Sequence, residues 1–346
     1  MKPLKPTALP PNQPRQFYRG GRAIAAFRTG NAGRAEEFGP EDWVASTTTL
    51  FGQDAGLSVL PDGSTLRDAV AADPVSYLGA AHAAVYETSP ALLVKLLDAG
   101  ERLPVHVHPD RAFAQQHLNC QFGKTEAWLV IGTSDSDAAV YVGFKADVDQ
   151  AAVDTWVKSQ RSEMLLETLN RIPVRRGDTV LIPAGTPHAI GAGVFIIELQ
   201  EPTDFSVMLE WESFGLASRA DEQRGLPATL ALRCLDRTGW SNSRLASCVS
   251  RGALSSVAGA RNVLPPKADP FFRAVQVVTD GSVALEPQFG VLVVLEGSGK
   301  LEGDFGDAVE ISRGDTVLVP HGAGEVTISG DLNVVRCLPP AVAPVS

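Results

Sequence analysis

The chain has 346 residues, of which 44% are hydrophobic and 20% charged, enough to bury a sizeable core as one elaborate domain or two. Its 30 Lys and Arg against 40 Asp and Glu give a formal net charge of −10, and a protein that neutralises nucleic-acid phosphates needs the opposite balance. Mean hydropathy is +0.02 and no apolar run approaches the roughly 20 residues that cross a bilayer, so neither a nucleic-acid nor a membrane partner is expected.

The first segment, MKPLKPTALPPNQPRQF, lacks an apolar centre and a small-residue cleavage site, so it reads as a disordered leader and not as a signal peptide. Cys120, Cys234, Cys248 and Cys337 show no CxxC spacing, which argues against a disulfide framework or a thiolate zinc site and fits a cytoplasmic protein with reduced thiols. LRDAVAADPVSYLGAAHAAVY is a helical stretch. LPVHVHPDRAF at 103–113 sets two histidines either side of a valine. On a strand, alternation points His106 and His108 to the same side, where both can reach one ion.

FGKTEAWLVIGT then puts Glu126 just before an apolar strand. Residues 147–171, with Val153, Trp156, Val157, Met164, Leu165 and Leu169 at helical spacing, read as a helical insert stopped by Pro173. The run from Arg175, RRGDTVLIPAGTPHAIGAGVFIIELQEP, is echoed from Ser312 by SRGDTVLVPHGAGEVTISGDLNVVRCLPP. Each copy has a Gly-Asp turn, a short strand ended by proline, a glycine turn and another strand. His188 of the first copy aligns with Glu325 of the second, so one copy alone is equipped for metal. Short strands between turn residues suggest a β-sandwich or jelly roll. The expected fold is all-β dominated, two β-barrels with a helical insert. The expected domains are 1–235, carrying the metal and the insert at about 147–171, and 236–346, metal-free; LPATLALRCLDRTGW, 226–240, is a helical candidate leading into the second barrel. His106, His108, Glu126 and His188 form a borderline donor set suited to zinc, iron, manganese or nickel.

Pro183-x-Gly185-x-x-His188 looks like the second cupin motif, and the order of motifs resembles the type I phosphomannose isomerases, a zinc-dependent cupin family. The likeness starts at YRGGRAIAAF and GPEDWVAST, sharpens at ALLVKLLDAGERLPVHVHPD, GKTEAWLVI, LNRIPVRRGDTVLIPAGTPHAIG and IIELQEPTD, and covers roughly residues 17–235. It implies Zn2+ as cofactor on His106, His108, Glu126 and His188. The family usually has glutamine at the first of these, so His106 trades an oxygen donor for a nitrogen and leaves other divalent metals open.

The resemblance also implies a reaction, the interconversion of mannose 6-phosphate and fructose 6-phosphate by proton transfer through a cis-enediol. Lys124 matches a residue that lines the family's active site. Asp204 matches the acid that follows the metal-histidine strand, and Glu198 lies on that strand; the three are the catalytic candidates. Where the family carries arginine four residues after the aspartate, this chain has Met208. Arg111 and Arg219 then stand as candidate substrate-binding cations. The exchange keeps open an isomerase of a different sugar or sugar phosphate, and a non-catalytic sugar-binding cupin. The donor set also suits an iron or manganese oxygenase.

Overall fold

The computed structural model describes residues 3–51, 53–216 and 226–342, and their strands gather into sheets of seven, six and five strands with antiparallel ladders. The architecture is sheet-rich and cupin-like. The six-stranded sheet runs Val249–Ser250, Thr179–Ile182, Glu126–Thr133, Val194–Gln200, Leu93–Asp98, Glu41–Val44. The five-stranded sheet runs Val207–Met208, His106–Val107, His188–Ile190, Ala139–Phe144, Leu169–Pro173. These two sheets hold His106, Glu126, His188, Glu198 and Met208. The seven-stranded sheet is built mainly from the long strands Arg273–Leu285, Gly290–Glu302 and Val326–Leu338. No helix among the described residues is long and apolar enough to cross a membrane.

The internal echo is a repeated turn, hydrogen bond for hydrogen bond. In the first copy Arg175 N–H donates to Asp178 Oδ2 at 3.2 Å, Asp178 N–H to Arg175 O at 3.0 Å, and Gly177 N–H to Val130 O at 2.8 Å. In the second, Ser312 N–H donates to Asp315 Oδ2 at 2.7 Å, Asp315 N–H to Ser312 O at 2.9 Å, and Gly314 N–H to Val294 O at 2.9 Å. The glycines sit at φ 91° and 93°, a left-handed conformation that a side chain resists. A short strand follows in each case, Thr179–Ile182 and Thr316–Val319.

Three expectations change. The opening segment is ordered from residue 3 on: Thr7–Ala8 pairs with Val317–Leu318 at the edge of the seven-stranded sheet, and Leu4 N–H reaches Gly322 O at 3.0 Å. A backbone with few apolar side chains is held here by main-chain bonds that composition does not reveal. The insert is not one helix ending at Pro173 but two, Gln150–Lys158 and Ser162–Thr168, followed by the strand Leu169–Pro173. Gln160, at φ 48° between them, uses its side chain to accept from Trp211 N–H at 2.8 Å and Glu212 N–H at 3.0 Å. The tertiary bonds fix a break where periodicity alone reads a continuous helix. LPATLALRCLDRTGW is reduced to the turn of helix Ala228–Ala231 and the 3-10 turn Leu232–Cys234.

Candidate active site

His106 lies opposite His188 on neighbouring strands of the five-stranded sheet, and His108 follows directly after the HxH strand. Alternation brings both HxH rings to one side, with centroids 4.9 Å apart, and the His188 ring lies 4.2 Å from His106 and 4.8 Å from His108. Ligand atoms of the three lie within 4.8 Å of one another, and all three residues are buried. Each Nδ1 is spoken for by a main-chain carbonyl: Pro104 O at 2.8 Å for His106, Phe205 O at 2.6 Å for His108, and Thr186 O at 2.8 Å for His188. Carbonyls only accept, so Nδ1 carries the proton and Nε2 presents a lone pair toward the centre. Such outer bonds fix the tautomer and aim of ligand imidazoles. Burial, with the neighbouring rings and Lys124, depresses the His106 and His108 pKa values, that of His108 to about 3, so both are neutral and ready to ligate.

Glu126, at the start of its strand in the six-stranded sheet, lies beside two of the three. Its Oε2 lies 3.1 Å from His108 Nε2 and its Oε1 3.2 Å from His188 Nε2, while Trp128 Nε1–H donates to Oε1 at 3.1 Å. Burial alone would raise this carboxyl, yet the Lys124 charge holds it well below the usual carboxylate range. His108 Nε2, His188 Nε2 and Glu126 Oε2 are buried without a hydrogen bond among the described residues. Unsatisfied buried polar atoms are costly. Two nitrogen lone pairs and a carboxylate converge here, with His106 Nε2 beside them, and the arrangement fits a divalent metal ion.

A cavity of about 480 Å³ opens from this cluster, within the range of small-molecule sites. Glu126, Lys124, Glu198, Asp204, His106 and Met208 all line it. Glu198 faces inward from the strand beside Glu126, paired in register with Lys95 and Trp128. Burial raises its pKa to about 8, with Glu126 and Glu41 adding to the rise against the pull of Lys95 and Lys124. Lys124 Nζ sits 3.4 Å from Glu126 Oε2. Asp204 Oδ2 accepts from Phe51 N–H at 3.0 Å at the mouth.

Arg111 takes no part in the cavity wall. Its Nε–H bonds Glu201 Oε1 at 2.6 Å, and its guanidinium stacks over Phe271 at 4.7 Å. Glu201 in turn accepts from Thr125 N–H at 2.8 Å, so Arg111 braces the loop that delivers Glu126. Arg219 lies outside the described residues.

The reading of the sequence passed over Lys95, Glu41 and Tyr18, which also line the cavity. Lys95 Nζ is 3.1 Å from Glu41 Oε2 and 4.8 Å from the Trp43 ring. Glu41 accepts further from Tyr18 Oη–H, and from Trp43 Nε1–H at 2.7 Å. Burial works against the Lys95 charge, but Glu198 and Glu41 raise its pKa above the ordinary lysine range. The available signal was a single lysine inside the apolar strand ALLVKLLD, because a charge there needs a buried partner.

No family model matches the chain. Over 308 residues it is 28% identical to mannose-6-phosphate isomerase of Streptococcus mutans, covering 87% of this chain and 91% of that protein. It is 26% identical to a Bacillus subtilis mannose-6-phosphate isomerase over 246 residues, 69% of this chain and 72% of the relative. A crystal structure of mannose 6-phosphate isomerase from Bacillus subtilis superposes with a TM-score of 0.71 at 21% identity, over 96% of this chain and 99% of the other. A phosphomannose isomerase variant from Salmonella typhimurium also gives a TM-score of 0.71, at 13% identity and covering 98% and 100%. The common fold is matched by aligned sequence across nine-tenths of one relative, and the chain resembles the mannose-6-phosphate isomerases at low identity.

Proposed function

We propose that the chain is a metal-dependent aldose–ketose isomerase acting on a hexose of the mannose–fructose type. The observation that carries this reading is the convergence of unpartnered buried Nε2 atoms and the Glu126 carboxylate on a cavity that also holds Glu198 and two lysines. His106, His108, Glu126 and His188 would hold the metal. Bound there, a divalent ion supplies Lewis-acid polarisation of the sugar's carbonyl and hydroxyl oxygens; zinc follows from the family resemblance, and the donor set suits iron, manganese or nickel as well.

The chemistry asked of the protein is modest. The hydrogen on C2 of the open-chain aldose leaves as a proton and a proton is returned to C1, while the hydroxyl proton passes from O2 to O1. Nothing is consumed, which agrees with a chain that has no dinucleotide fingerprint. Glu198 is the proposed proton carrier, because a carboxyl poised near 8 can both take and return a proton close to neutral pH. Lys95 and Lys124 set positive charge beside the cavity, where negative charge develops on the enediolate oxygens. Asp204 ties Phe51 at the mouth. Every lining residue among those described falls between Arg15 and Met208, which supports the proposal that residues 1–235 carry the chemistry and residues 236–346 form a second, metal-free unit packed against them.

The test is a coupled aldose-to-ketose assay on protein of measured metal content, run beside His188→Ala. The native chain is expected to turn over a hexose or hexose phosphate, and the variant to lose bound metal and at least about 100-fold in rate. Full metal occupancy with no turnover across such a panel would leave a sugar-binding protein in place of an enzyme.

A further inference from the structure

Outside the cluster of imidazoles, the segments that carry its members are stitched to one another. Gly185 N–H, in the turn that leads to His188, donates to His108 O at 2.7 Å. Lys124 N–H, two residues before Glu126, donates to Pro109 O at 3.0 Å. A Cβ on Gly123 would lie 2.6 Å from that same oxygen, so only glycine lets the loop come this close. Thr125 closes the set, because its Oγ1 accepts Ala184 N–H at 3.3 Å. The segments bearing His108, Glu126 and His188 therefore share one seam.

One carboxylate governs that seam. Glu201, directly after the strand that carries Glu198, is 1% exposed. Its Oε2 accepts Thr125 N–H at 2.8 Å and its own N–H donates to Thr125 O at 3.1 Å, so both polar backbone atoms of the residue before Glu126 are tied to it. Its Oε1 takes Arg111 Nε–H at 2.6 Å. A buried carboxylate is tolerated when it is paired and hydrogen-bonded, and Arg111, which opens its helix three residues after His108, is the partner. Arg111 is held in turn from across the molecule: its Nη2 reaches Pro270 O at 3.4 Å and its guanidinium lies 4.7 Å over the Phe271 ring. Those two residues lead into Arg273–Leu285 of the seven-stranded sheet, whose strands carry no member of the cluster.

We propose that Arg111 and Glu201 are positioning residues of the metal centre, and that Pro270 and Phe271, from a part of the chain without a ligand, raise metal affinity by holding Arg111 against Glu201. The proposal rests on the reading that His106, His108, Glu126 and His188 hold the ion. A metal tolerates donor displacements of only about 0.2 Å, so a loop shift too small to disturb packing is enough to weaken binding. Arg111, with its side chain 40% exposed, has less to give to folding than to the aim of Glu126.

The test uses the full chain. Zinc affinity, for the site lost in His188→Ala, is read by chelator competition; the visible spectrum of cobalt-loaded protein reports donor geometry, and urea unfolding of metal-free protein reports packing. Arg111→Met, which keeps a long side chain beside Phe271, and Glu201→Gln are each expected to weaken zinc at least about tenfold and to alter the cobalt spectrum. Arg111→Lys should recover part of the affinity, and Phe271→Ala should weaken zinc several-fold. Because Arg111 acts through Glu201, the double variant should fall no further than the worse single one. Native zinc affinity with an unchanged cobalt spectrum in Arg111→Met and Glu201→Gln overturns the proposal, as do strictly additive losses. A lower urea midpoint with metal binding intact overturns it too, since the pair then only packs the loop. Unchanged affinity in Phe271→Ala removes the part assigned to the seven-stranded side. A native chain with no zinc at this site overturns the metal reading and this proposal with it, whereas native zinc binding that the variants leave untouched fails the proposal and spares that reading.

Discussion

Glu198 is a buried carboxyl whose protonation is decided inside the folded cavity. Its pKa, about 8 against a usual 4.5, lies above the unfolded value, so the folded chain keeps a proton that the unfolded chain gives up. Stability from this group is therefore fully present below about pH 4.5 and is lost progressively as pH rises to about 8. Glutamine at this position is neutral throughout and removes that slope. In metal-stripped protein, Glu198→Gln should gain on the native chain by a few kcal/mol, in order of magnitude, between pH 5 and pH 8.5. Urea unfolding at each pH reads the difference directly, and two parallel stability curves would mean that Glu198 ionises freely in the folded state. With metal restored, the same substitution should lower kcat by about 100-fold or more, because the proposed proton carrier is gone while the proposed ligands remain. Stabilisation without metal combined with loss of turnover distinguishes a chemical group from a packing one.

At the scale of elements, the Gly-Asp turn was legible because its chemistry is local. A glycine at positive φ and an aspartate capping its own turn leave the same letters in both copies. The surroundings of the two turns were not legible, and they differ. A Cβ on Gly177 would meet nothing nearer than 3.6 Å, whereas one on Gly314 would lie 2.1 Å from the Phe27 carbonyl oxygen in the helix Arg22–Thr29. Gly177→Ala should cost only the left-handed strain, about 1–2 kcal/mol. Gly314→Ala should cost more, since that helix or the turn must move as well. Urea midpoints of the two variants check the order, and equal losses would show that the helix yields easily. The same contrast explains the site. HxH and Pro-x-Gly-x-x-His are short patterns whose spacing already places the rings, so the convergence of the three histidines could be read from the chain. Lys95 and Glu41 meet across two strands paired in register, and that pairing is a tertiary fact. Arg111 looked like a free cation beside the HPD run, but its partner Glu201 is brought up by a distant strand.

The whole molecule is tied through one arginine. Arg28, in the last turn of the helix Arg22–Thr29, donates to Leu9 O at 2.7 Å, Gly314 O at 3.0 Å and Thr316 Oγ1 at 2.7 Å. Its Nε lies 3.1 Å from Asp42 Oδ2, with both side chains almost fully buried. It thus joins the opening segment, the seven-stranded sheet and the outer strand of the six-stranded sheet that carries Glu41. Breaking a buried ion pair from one side leaves the other charge uncompensated, at a cost of about 3–5 kcal/mol. Arg28→Met should lose stability of that order, and Asp42→Asn on the same background should restore part of it, because the stranded charge is removed. Burial already lifts the Asp42 pKa against the pull of Arg28 and Asn12 N–H, and without Arg28 it must rise further. A carboxyl raised in the folded state favours folding at low pH, so the deficit of Arg28→Met should shrink on acidification toward pH 5 and widen toward pH 8. Because the metal ligands lie elsewhere, bound metal per folded chain should not change. Strictly additive losses in the double variant, or a deficit independent of pH, would show that the tie holds through the three arginine hydrogen bonds and owes nothing to Asp42.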